Sequence, residues 1–218
     1  MIATPLLPLR NRLAEMVLRA LADTTARRDL ARLAEPGPSA GGEFSWLADV
    51  GPEQITLVRE RARRAHEALI HCPPLRAEPS LDETLAAAAT LFDAGLHFEV
   101  HELLEPYWAR GEGAERQALQ GLIQIAVGYQ HLANGNLEGA RALLDEGPRR
   151  LLNGDLPDLD LTRFATAVAA AADRISRAAP TTVPSFPRSE GRSKMARFEA
   201  AKEGRLRRTP STLQGDPD

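Results

Sequence analysis

Ser80 to Arg110 reads SLDETLAAAATLFDAGLHFEVHELLEPYWAR, two helices joined by a glycine turn. Ser80 followed three residues on by Glu83 is the order of a capping box, in which serine oxygen and glutamate carboxylate each satisfy one free amide of the first turn. The helix this opens reaches Ala94, where Gly95 ends it, and the next runs from about Leu96 to Arg110. A helical hairpin follows.

Outward from the hairpin toward the C-terminus, the pattern predicts helices over Ala114–Ala133, Leu137–Leu152 and Leu161–Ala178. Short connections at Gly111 and Gly113, at Asn134-Gly135 and at Asn153-Gly154 make successive helices antiparallel neighbours. Shifting the sequence by 40 residues aligns Gly95 with Gly135 and Leu103-Leu104-Glu105 with Leu143-Leu144-Asp145, so two helix-turn-helix units share one plan. Two copies do not make a repeat array, which needs about three for stability.

Toward the N-terminus, Leu13, Val17, Leu18, Leu21, Leu30 and Leu33 recur at helical spacing from Asn11 to about Glu35, with a break near Thr24 and Thr25. Pro36-Gly37-Pro38 stops that helix; Phe44, Trp46 and Leu47 read as a docking turn, and Pro52 opens a helix to about Ile70. Arg59, Arg61, Arg63 and Arg64 are expected on its solvated face. The fold class is therefore all-α: an antiparallel helical bundle of about five helices built from hairpins over residues 80–179, extra N-terminal helices over 1–79, and a disordered basic tail over 180–218. A short helix around Met195 to Arg205 is expected within that tail.

Composition agrees, with 5% aromatic residues and abundant alanine, leucine and arginine favouring helix packing over sheet. No window approaches the roughly 20 apolar residues of a membrane span, and the first residues lack the order of a signal peptide, so a cytoplasmic protein is expected. Cys72 is the only cysteine, which excludes an intrachain disulfide. Net charge is +1 over residues 1–80, −7 over 81–179 and +3 over 180–218. An acidic centre repels phosphates, leaving only the tail, at +5 between Arg188 and Arg208, to meet nucleic acid.

Chemistry concentrates in the second helix of the hairpin. At about 100° per residue, Phe98, His101, Glu102 and Glu105 share one face while Val100, Leu103, Leu104 and Tyr107 take the other. A helix with apolar residues on both sides sits centrally, so its polar side chains are expected to be buried or to line a cleft. On the following helix Gln120, Gln124 and His131 share a face with Leu122, Ile125 and Tyr129 turned away. Antiparallel packing of the two would gather His101, Glu102, Glu105, Gln120, Gln124 and His131 beside Trp108, while Pro106 removes one backbone bond and kinks or restarts the helix. Three readings stand: a buried hydrogen-bond network, an acid/base site on His101 and Glu102, or a divalent metal held by His101, Glu105 and His131 with Glu102 as base. His66, His71 and His97 are given no role.

Phe92, Gly95, Phe98-Glu99, His101-Glu102, Leu104-Glu105 and Trp108, followed by Leu119-Gln120-Gly121-Leu122-Ile123-Gln124, His131-Leu132, Gly135-Asn136 and Gly139-Ala140, resemble the two sequence blocks of a bacterial and plastid family catalogued as domain of unknown function 309. The resemblance implies a compact all-helical domain and brings no reaction with it. Pro106 departs from the uninterrupted helix of a typical member.

The leading expectation is a non-enzymatic binding or scaffold module for a protein or small-molecule partner, with Phe98, Trp108, Gln120, Gln124 and His131 as binding candidates and no cofactor. The alternative is a hydrolase-like enzyme using His101, Glu102 and Glu105 with a divalent metal.

Overall fold

Local sequence chemistry sets each helix boundary in the computed structural model, which describes residues 3–35, 44–177 and 181–189. Among the described residues there are eight α-helices and no strand. Helix α1 spans Leu7–Ala22 and buries Leu9, Leu13, Val17 and Leu21, the i, i+4 stripe of one face. The break expected near Thr24 is the extended residue Asp23, whose carboxylate accepts from the Thr25 amide at 2.7 Å and starts α2, Thr24–Ala34. Phe44 and Leu47 are buried around a single 3₁₀ turn, Ser45–Leu47. Pro52 then opens α3, Pro52–Leu69.

The bundle begins with α4, Leu81–Asp93. Ser80 Oγ accepts from the Glu83 amide at 3.2 Å and Glu83 Oε2 accepts from the Ser80 amide at 2.8 Å, which completes the capping box. Gly95, at φ 77°, turns the chain into α5, His97–Arg110, which continues through Pro106 as one helix; of the kink or restart expected from sequence, the restart does not occur. Helix α6, Gly113–Ala133, is followed by the same turn, with Gly135 also at φ 77°, and by α7, Leu137–Leu152. The 40-residue correspondence is thus a shared left-handed glycine turn. Asp160 caps α8, Leu161–Ser176, by accepting from the Arg163 amide at 2.8 Å.

Each bundle helix packs on the next, and α6 meets α7 most extensively. Glycine makes that contact close: a Cβ on Gly121 would lie 2.9 Å from the Gly147 carbonyl oxygen, and one on Gly147 would lie 2.7 Å from Ile125 Cγ1. Phe92 centres the core, its ring 4.9 Å from His97, 5.8 Å from Tyr129, 5.9 Å from Phe164 and 5.2 Å from Phe186. Helices α1 to α3 form an N-terminal layer that reaches the bundle through α1 on α5 and α3 on α4.

The compact unit runs to Arg188, past the boundary expected at 179. Asp93 accepts from the Phe186 amide at 2.9 Å and pairs with Arg188, and Phe186 is buried. A single aromatic flanked by prolines has no periodicity to announce such docking. The remainder of the expected basic tail, with the helix around Met195 to Arg205, lies outside the described residues.

Candidate functional site

Helix α5 presents its two faces as the helical wheel demands, but at a different depth. Val100 and Leu104 are fully buried, whereas the opposite face emerges at the solvent edge: His101 is 27% exposed, Glu102 36% and Glu105 52%. The buried cluster expected here is corrected to a half-exposed one, because only Phe98 of that face is covered. Arg10 of α1 lies over the Phe98 ring at 4.1 Å, and the ring centre lies 6.0 Å from that of His101. The imidazole stands between two carboxylates, Nδ1 3.1 Å from Glu102 Oε1 and Nε2 3.9 Å from Glu105 Oε2.

The polar residues of α6 engage α7 instead. Gln120 Oε1 accepts from Arg150 at 3.0 Å, as does Gln117 Oε1 at the same distance. His131 Nδ1 lies 2.9 Å from the side-chain nitrogen of Asn136, which itself caps α7 by accepting from the Gly139 amide. Gln124 Oε1 is buried without a hydrogen-bond partner. Among the described residues no hydrogen bond or ion pair joins Gln120, Gln124 or His131 to His101, Glu102 or Glu105, so the expected six-residue cluster is not assembled. Trp108 packs under the Arg116 guanidinium at 4.6 Å, and Arg116 donates to the Trp108 carbonyl at 3.1 Å.

The buried charge of the molecule lies elsewhere. Arg61 of α3, expected on a solvated face, is 2% exposed and donates to Glu99 of α5 at 2.6 Å, with Glu99 fully buried. Its place follows from spacing, since Val58, Ala62, Ala65 and Leu69 form the buried stripe of α3 and Arg61 lies within it. Glu99 likewise stands between the buried Phe98 and Val100. His97, given no role from sequence, is 3% exposed, and burial followed by the charge of Arg61 lowers its pKa to about 3. Burial raises the Tyr129 phenol beside it, whose ring centre is 5.6 Å away. Neutral His97 is therefore part of the aromatic core.

Two further features frame the surface. A groove of ≈ 880 Å³ runs between α7 and α8, bounded by Leu137, Glu138, Arg141, Asp145, Ala172 and Asp173 among others. No helix among the described residues is long and apolar enough to cross a membrane.

Comparison with known proteins gives one match. No curated protein and no solved structure matches the chain. Residues 85–143, which hold most of α4, all of α5 and α6 and the start of α7, match the family model described as domain of unknown function (DUF309), so this stretch is similar to that family.

Proposed function

We propose that the chain is a helical binding module that receives a helix of a partner protein in the groove between α7 and α8. One observation carries this reading: the groove has an apolar floor left open to solvent, with Leu137 61% exposed at its end and the exposed or half-exposed Ala142, Ala169 and Ala172 along it. Small side chains let a third helix approach closely, the geometry of helix-in-groove recognition. Asp145 and Asp173 on the rim already pair with Arg149 and Arg177, so the fitting occupant is an amphipathic helix held by its apolar face.

The test is site-specific photo-crosslinking from Ala142 in cells, followed by titration of the identified partner's helix as a peptide. The wild-type chain should bind the peptide, and Ala172→Arg, which fills the groove, should weaken it at least about tenfold, a loss of about 1.4 kcal/mol. Equal affinity for the two proteins would defeat the reading.

A second reading, a hydrolase-like enzyme, is favoured by one feature, the His101 imidazole set between two carboxylates at the solvent edge. Hydrolysis of simple ester or phosphoester substrates that is lost in His101→Ala would support it. Turnover unaffected by that substitution would not.

A further inference from the structure

The atoms around His101 are arranged unequally, and the inequality assigns roles. An imidazole directs its two nitrogens to opposite sides, so an ion held by one cannot touch the other. Glu105 faces Nε2 from one helical turn away, and Glu102 faces Nδ1. We propose that His101 Nε2 and Glu105 form a divalent cation site of the zinc class, with Glu102 as the carboxylate that orients the imidazole from behind.

The distances suit this arrangement. Zinc bonds of about 2.0–2.1 Å to nitrogen and about 2.0–2.2 Å to oxygen sum to slightly more than the gap to be bridged, which is 3.9 Å between Nε2 and Oε2. Rotation of the half-exposed Glu105 side chain closes the angle toward tetrahedral. One ligand oxygen or nitrogen from each of the three residues lies within 4.8 Å of the others. A carboxylate behind a metal-bound imidazole fixes its tautomer and raises its basicity, the part that Glu102 takes at 3.1 Å.

Charge supports the same site. Glu60, Glu67, Glu83 and Asp145 each pair with an arginine, whereas among the described residues the ion pairs of Glu102 and Glu105 run to His101. Arg10, the cation on this side of α1, is drawn onto the Phe98 ring. A nitrogen-and-oxygen ligand set selects zinc, cobalt or nickel over magnesium or calcium, which prefer oxygen alone. His131, the third ligand expected from sequence, is engaged with Asn136 and takes no part. Two coordination positions are thereby left for water or a bound ligand. The assignment goes beyond the groove reading, and zinc uptake tests it apart from any hydrolysis.

The experiment is calorimetric titration of zinc into the full tagless chain, with helical content of every variant checked by circular dichroism. One equivalent should bind and be lost in both His101→Ala and Glu105→Gln, whose side chains are exposed enough for the fold to persist. Glu102→Ala should weaken affinity by about 10- to 100-fold at unchanged stoichiometry, with Glu102→Gln, which keeps an oxygen toward Nδ1, recovering part of the loss. His131→Ala should bind as wild type. Absence of zinc uptake, an equivalent that survives Glu105→Gln, or one that disappears in His131→Ala would each overturn the assignment.

Discussion

His97 shows how far a side chain's surroundings can remove it from its usual chemistry. Its ring is packed against Phe92 and Tyr129, and its pKa is lowered to about 3. An imidazole in the unfolded chain titrates near 6.5, at about its ordinary value. Between these two values the unfolded state binds the additional proton, so stability falls as pH drops from about 6.5 toward 3; above that range both states are neutral and no slope arises. The slope from one group is about 1.4 kcal/mol per pH unit. Urea unfolding of wild type and His97→Phe from about pH 7 to 5 should show the wild type losing stability faster on acidification. Parallel curves would mean that the buried ring titrates normally.

At this same scale the sequence was partly readable. The wheel sorted the two faces of α5 correctly, since that needs only the helical repeat. It did not set their depth, because the cover over Phe98 comes from Arg10, almost ninety positions away. Arg61 lay within an apolar stripe that spacing alone displays, yet its charge argued for solvent until Glu99 was found opposite it.

Helix ends were the most legible elements because capping is local. Ser80 with Glu83, Asp160, and Gly95 and Gly135 act within a few residues of themselves. Gly121 is different, as its role depends on which helix α6 meets. Helix propensity alone predicts that Gly121→Ala stabilises by about 1 kcal/mol. The added Cβ would instead lie 2.9 Å from the Gly147 carbonyl oxygen and from Leu151 Cδ2, so a net loss of about 1–3 kcal/mol is expected. Thermal unfolding decides between the signs, and a raised Tm would show that α6 and α7 can separate at no cost.

For the whole molecule, the Arg61–Glu99 pair ties the N-terminal layer to the bundle. Replacing Arg61 with methionine strands a buried carboxylate and should cost about 3–5 kcal/mol. Adding Glu99→Leu removes the stranded charge and should restore most of that stability, read as the urea midpoint of each variant. A double variant no more stable than Arg61→Met would place the loss in packing instead of charge. The layer is thus chemically committed to the bundle, although the family match begins only at residue 85.

Asp93 receives Phe186 and Arg188 across more than ninety positions of chain. During synthesis, therefore, all eight described helices are translated before Phe186, the residue that completes the wall of Phe92. Domains tend to fold as units while the chain is still growing, and contacts this distant in sequence form late. Until the 181–188 segment is made, Phe92 has no Phe186 ring beside it and Asp93 has neither the Phe186 amide nor Arg188 to engage.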